Sequence, residues 1–274
     1  MKKNLLNILS VLVLVVVLAF AGTAAAGPVD DAMQKSNEAL QKNNPTEALS
    51  WTNKALKLAP TSGEIYNVRA EIKYLLKDAN GALADLNKAI ELNPNLIPAY
   101  FNRATLNLQS NNDTVAEQDF NKIIEIADNK ALANLEIGRV YSNTPNFNRA
   151  LPYLNKSIEL QASPQAYLVR SIVYLLNKDL AKALTDNDKA VKLDPAFAPS
   201  YMQRGLLYYN TNNPTKALVD FNKTVELQAN NPIAYWNRAF TQDKLGNKAA
   251  AKTDFTKAVA LAPALAQSLP PEYK

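Results

Sequence analysis

The side chains able to do chemistry in this chain of 274 residues are carboxylates, lysines and arginines, because it contains no histidine and no cysteine. That composition removes imidazole acid–base catalysis, thiolate nucleophiles, covalently attached haem and the usual zinc and copper ligands. Disulfide stapling and lipoprotein anchoring through an N-terminal cysteine go with it. A pair of carboxylates could hydrolyse a glycoside, yet the acids stand at helical spacing among lysines, the pattern of a solvated face. Asn111-Asn112-Asp113 and Asp186-Asn187-Asp188 lack the glycine and closing glutamate of a calcium loop. No catalytic residue, metal, cofactor or small-molecule substrate is expected. Asn112-Asp-Thr, Asn155-Lys-Ser and Asn222-Lys-Thr match the N-glycosylation pattern, which matters only in a eukaryotic host.

The charged residues are instead periodic. Lysine recurs at 54, 88, 122, 156, 189, 223 and 257, as a solubilising outer surface would. Arginine falls at Arg69, Arg103, Arg170, Arg204 and Arg238, each followed sixteen residues later by Asp85, Asp119, Asp186, Asp220 and Asp254. The elements that position them repeat as well. One phrase is written seven times at a spacing of 34 residues with one step of 33, from Ala55-Leu-Lys-Leu-Ala-Pro60 to Ala258-Val-Ala-Leu-Ala-Pro263. Such a period marks a solenoid, whose units bury their apolar faces only by stacking. Within a unit, two helical patterns flank a turn such as Gly246-Asn247, Asn43-Asn44-Pro45 or Asn212-Asn213-Pro214, and a proline often closes the second. Each unit is thus a helical hairpin, and residues 29–62, 63–96, 97–130, 131–163, 164–197, 198–231 and 232–265 form one continuous stack, followed by a tail at 266–274. Each arginine then faces the aspartate of its own hairpin as a structural ion pair; the alternative is that duplication copied both residues together.

Residues 1–26 have the layout of an export signal: Lys2 and Lys3, an apolar stretch from about Ile8 to Ala21, and Ala24-Ala25-Ala26 before a cleavage point. An uncleaved membrane anchor is the alternative. Either places the repeats outside the cytoplasm, in the periplasm or secreted, or tethered to the membrane there. Without the two lysines, twenty-eight bases against twenty-five acids leave +3. No basic run is long enough to track a phosphate backbone, so nucleic acid is not an expected partner.

Small residues recur where two helices approach: Ala70, Ala104, Gly138, Ser171, Gly205 and Ala239 in first helices, Ala48, Ala82, Ala116, Ala150, Ala183, Ala217 and Ala251 in second helices. Large ones surround them: Tyr66, Tyr100, Tyr167, Tyr201 and Tyr235, then Leu86, Phe120, Leu154, Phe221 and Phe255. This rhythm resembles the tetratricopeptide repeat family over essentially the whole chain after residue 28. The resemblance implies an all-α, right-handed α-solenoid of about seven helix-turn-helix repeats, preceded by an N-terminal signal or anchor helix. It also implies a protein–protein interaction scaffold or adaptor that takes a protein or peptide segment in its concave groove, or, in the tethered version, a cell-envelope assembly component.

The first unit departs from the pattern at Ala32 and Thr52 and reads as a looser terminal cap. The fourth carries Asn134 in the aromatic place and is one residue short, which predicts an irregularity near Asn143-Thr144-Pro145. By resemblance, the groove wall takes the residue after the opening aromatic and those four and seven further on. These are Leu168, Ile172 and Leu175; Met202, Leu206 and Tyr209; Trp236, Phe240 and Asp243; Phe101, Thr105 and Leu108; Met33, Asn37 and Leu40; Asn67, Glu71 and Tyr74. Phe101, Leu168, Ile172, Leu175, Met202, Leu206, Tyr209, Trp236 and Phe240 are the candidate partner-binding residues. The family's clamp for a C-terminal carboxylate keeps only Asn37 or Asn102 of its places, and no basic residue, so it is expected to be absent. Past the last repeat, Ala264-Leu-Ala-Gln-Ser-Leu269 precedes Pro270-Pro271. That leaves Phe255 and Val259 partly open, under an incomplete lid of Leu265 and Leu269 or against a second copy, in a monomer or weak dimer.

Overall fold

The computed structural model describes residues 27–274; the segment read as signal or anchor, 1–26, lies outside the described residues. Among these there are fourteen α-helices and no strand. They come in seven hairpins: α1 (Pro28–Gln41) with α2 (Pro45–Leu58), α3 (Gly63–Leu75) with α4 (Ala79–Leu92), α5 (Ile97–Gln109) with α6 (Asp113–Ile126), α7 (Lys130–Ser142) with α8 (Ala150–Leu160), α9 (Pro164–Leu176) with α10 (Leu180–Leu193), α11 (Ala198–Asn210) with α12 (Pro214–Leu227), and α13 (Pro232–Lys244) with α14 (Lys248–Leu261). None of these helices is long and apolar enough to cross a membrane.

Six hairpins turn on one left-handed residue: Asn43, Lys77, Asn111, Lys178, Asn212 and Gly246, with φ between 55° and 84°. The next residue's N–H then reaches back into the first helix, as Asp78 does to the Lys73 carbonyl at 2.9 Å, closing orphan carbonyls at the helix end. Asn and Gly adopt this backbone readily. Lys77 and Lys178 do not, and sequence alone gives no hint of their turn role. Capping then starts the second helices: the Asp78 carboxylate accepts the Gly81 N–H at 2.8 Å, and Asp179 accepts that of Lys182 at 3.1 Å. The fourth hairpin lacks the left-handed residue and closes through a 3-10 turn at Phe147–Arg149.

The recurring small residues are buried at the helix contacts, and two are glycines for want of room. A Cβ on Gly205 would stand 2.8 Å from the Phe221 ring, and one on Gly138 2.6 Å from Leu154 Cγ. The first hairpin is not the looser unit expected. Where other hairpins pack a small residue on a large apolar one, it buries Ser36 and Thr52, whose hydroxyls bond each other at 2.8 Å while Thr52 Oγ1 also donates to the Ala48 carbonyl. Ser171 and Asn187 repeat the device in the fifth hairpin at 2.9 Å. The Ser36–Thr52 pair satisfies itself, whereas in the fifth hairpin Asn187 Oδ1 is left buried without a partner.

The chain divides into two compact units, one ending at Ala133 and the other comprising Asn134–Lys274. In the first, α1 to α6 stack hairpin on hairpin, with clusters such as Ala70, Leu86, Ala99 and Leu106 at the joints. In the second, α9 to α14 do the same, and α9 lies beside α11 and α11 beside α13. The sequence anticipates a single stack. The division falls at the hairpin that has Ile137 and Tyr153 where five others have arginine and aspartate.

The tail overturns the expectation of an open Phe255. Residues Pro263–Ser268 and Pro271–Tyr273 form 3-10 turns, and Leu269 and Tyr273 pack on Ala239, Ala251 and Phe255. Phe255 is 1% exposed, with the Tyr273 ring centroid 4.8 Å from its own. Reading Pro270-Pro271 only as a stop missed that prolines also open a turn carrying an aromatic back onto the helix pair.

Candidate functional site

The five arginines occupy equivalent nodes. Arg69 holds Asp85 with two parallel bonds, Nε to Oδ2 and an Nη to Oδ1, both 2.7 Å; the pairs Arg103–Asp119, Arg170–Asp186, Arg204–Asp220 and Arg238–Asp254 are bidentate in the same way, at 2.6 to 3.0 Å. Each aspartate side chain is at most 6% exposed, so these are buried charges whose mutual hydrogen bonds replace lost water. Those bonds push the guanidinium pKa of Arg69, Arg170, Arg204 and Arg238 further above its ordinary value, against the opposing effect of burial.

A third bond went unread in the sequence. The remaining Nη reaches the second helix of the preceding hairpin: Arg69 to Asn53, Arg103 to Asn87, Arg170 to Asn155, Arg204 to Asp188 and Arg238 to Asn222, at 2.6 to 3.1 Å. The guanidinium also lies over the tyrosine three residues earlier, 5.1 to 5.7 Å from the ring centres of Tyr66, Tyr100, Tyr167, Tyr201 and Tyr235. One arginine therefore ties three helices. The signal was present, since Asn or Asp stands fifteen or sixteen residues before each of these five arginines.

The expected groove residues separate into groups. Leu168, Ile172, Leu175, Met202, Leu206 and Tyr209 are half-buried on α9 and α11, with Lys244 4.7 Å above the Tyr209 ring. Phe101, also half-buried, meets Phe120 at 6.3 Å between ring centres. Trp236 and Phe240 touch each other and Phe255 edge-on at 5.0 to 5.5 Å, within the cluster that the tail covers. Asp243 accepts a hydrogen bond from the Tyr273 hydroxyl and pairs with Lys248; those two bonds, Lys248 first, hold its carboxyl below the usual range. Met33 and Asn67 are buried and unavailable to a groove. No group of three or more acidic residues that could hold a metal occurs among the described residues.

Sequence models of the tetratricopeptide repeat match residues 63–96, 198–231 and 233–265, and a second model of the same repeat matches 135–196. The chain belongs to the tetratricopeptide repeat family. No curated protein matches it. Solved tetratricopeptide and related structures share its fold. A tetratricopeptide repeat protein from Parabacteroides merdae is 19% identical, with a TM-score of 0.57 over 86% of this chain and 93% of the other. Yeast Tom70 is 19% identical at 0.60, covering 88% of this chain but half of Tom70. PilW, described as a type IV pilus biogenesis factor, is 17% identical at 0.54 over 77% of this chain and 96% of its own. At these identities the likeness concerns the fold alone. The arginine nodes accordingly join successive tetratricopeptide repeats, and the half-buried stripe lies on the first helices of the fifth and sixth.

Proposed function

We propose that this protein is an exported scaffold without catalytic activity, which holds an extended or helical protein segment against the first helices of its repeats. One observation carries the reading. On α11, Tyr201, Gly205 and Leu207 are buried in the hairpin, while Met202, Leu206 and Tyr209 form a second apolar stripe that stays partly open. On α9, Val169, Ser171 and Val173 are buried in the same way, and Leu168, Ile172 and Leu175 remain. A stripe beyond what the core uses is the surface a partner segment covers. Membership of the tetratricopeptide repeat family supports binding over turnover.

Export is supported by the composition of residues 1–26. Cleavage leaves a chain beginning at Gly27; retention leaves the same repeats tethered. Mass spectrometry of the N-terminus of the mature chain distinguishes the two. For the binding face, a photo-crosslinking amino acid at Leu206 or Tyr209 should trap a partner of defined mass in the native envelope, whereas one at Val219, 64% exposed on α12, should not. Equal trapping at all three positions would remove the groove.

A further inference from the structure

The first compact unit, which ends at Ala133, contains a mostly buried carboxylate that no cation among the described residues neutralises. Glu71, on α3, turns one oxygen, Oε1, to the side-chain amides of Asn67 at 3.0 Å and Asn102 of α5 at 2.9 Å, and Asn102 also donates to Asn67 Oδ1 at 2.9 Å. Among the described residues none bonds Oε2, and no lysine or arginine pairs with Glu71. The nearby charges are committed elsewhere: Lys73 of α3 to Asp85 of α4, Arg103 of α5 to Asp119 and Asn87, and Glu38 of α1 accepts from Gln34. Beside the carboxylate lies a cavity of about 30 Å³ whose walls include Ala70, Leu86, Leu106 and Thr105, with the exposed Tyr74 among its lining residues and its hydroxyl bonded to Gln109.

We propose that Glu71, Asn67 and Asn102 form a receptor for the ammonium end of a lysine side chain presented by a partner protein. The two amides fix the carboxylate and leave one oxygen for an incoming donor. The apolar walls suit the methylene stem, which lysine buries readily. The cavity has room for about two water-sized groups, enough for an ammonium and a methylene. Burial pushes the Glu71 carboxyl up to about 7, with the Asn102 and Asn67 bonds opposing. An ammonium arriving at Oε2 relieves that penalty, because it favours the ionised form. The site goes beyond the reading above and is independent of the stripe on α9 and α11: trapping at Leu206 can fail while this subsite stands, and the reverse.

The test is a carbon-13 NMR titration of the full-length mature chain with Nα-acetyl-lysine methylamide, following the Glu71 carboxyl and the Asn67 and Asn102 amides. Nα-acetyl-norleucine methylamide, with a similar stem and no charge, is the control. The lysine probe should shift all three groups saturably and the norleucine probe should not. Apparent affinity should rise roughly a hundredfold between about pH 5 and about pH 8 as the competent carboxylate becomes populated. Glu71→Gln should abolish binding while keeping the far-UV circular dichroism of the parent. Thr105→Leu, on the half-exposed wall, should weaken binding at least about tenfold with the carboxylate intact. No saturable shift, equal shifts with both probes, or binding retained in Glu71→Gln overturns the proposal.

Discussion

Replacing Glu71 by glutamine keeps the volume and an acceptor for the Asn67 and Asn102 amides and removes only the ionisable group. The folded carboxyl titrates about 7 against an ordinary 4.5, a difference of roughly 2.5 units, or about 3 kcal/mol at ~1.4 kcal/mol per unit. The sign follows from the direction of the shift. A raised carboxyl favours the folded state while it is protonated, so this contribution is complete below about pH 4.5, falls as pH rises to about 7, and is then constant. Glu71→Gln has no such loss. It should match the parent near pH 4 and exceed it by about 3 kcal/mol near pH 8, which for a urea slope of about 1–3 kcal/mol per molar moves the midpoint by about 1–3 M. Trp51 lies in the same unit and reports the transition by its fluorescence. A difference that is the same at both pH values, or that favours the parent at the higher one, refutes the assignment of a buried, unpaired carboxylate.

Four further outcomes follow from the geometry. A double-mutant cycle on Arg204 and Asp220 should give a coupling of about 3 kcal/mol in chemical denaturation, because removing one member strands the other charge in the interior. Lys77→Gly and Lys178→Gly should each stabilise by about 1 kcal/mol in the same assay, while Gly246→Ala, whose added methyl meets nothing, should destabilise by a similar amount through backbone strain alone. Ser171→Ala with Asn187→Leu should melt higher than the parent, since Asn187 Oδ1 is buried without a partner; Asn187→Leu alone should gain less, because the buried Ser171 hydroxyl keeps its bond to the Leu168 carbonyl but loses the amide it accepts from. Tyr273→Ala should cost about 2 kcal/mol by uncovering Phe255 and shift Trp236 emission to the red; an unchanged spectrum would mean that the tail does not cover the cluster in solution.

The 34-residue phrase made the hairpins, their turns and their small-residue contacts legible, because each depends on residue type at a fixed offset along one chain. The arginine and aspartate sixteen apart were legible for the same reason. What escaped needed a distance between hairpins or an exchange of roles. The bond from Arg69 back to Asn53 is visible only once two hairpins stack. Lys77 turns the chain because its neighbours impose the turn, not because lysine prefers it. Thr52 read as a weak spot until Ser36 stood opposite it, and Tyr273 read as tail until its ring met Phe255. Glu71 stood among the groove positions with nothing in its sequence context to mark it as buried and unpaired.

The arginine node carries a consequence for how such an array can change length. Each guanidinium addresses one acceptor in its own hairpin and one in the hairpin behind, and the rear acceptor is Asn or Asp at every node. Excising residues 198–231 as a block would bring Arg238 opposite Asp188, which already accepts from Arg204. The junction left behind is one the chain has already solved. Loss of that repeat in a single recombination event therefore leaves an arginine contact intact at the seam, whereas a cut out of phase between an arginine and one of its two acceptors destroys that spacing and leaves only the other.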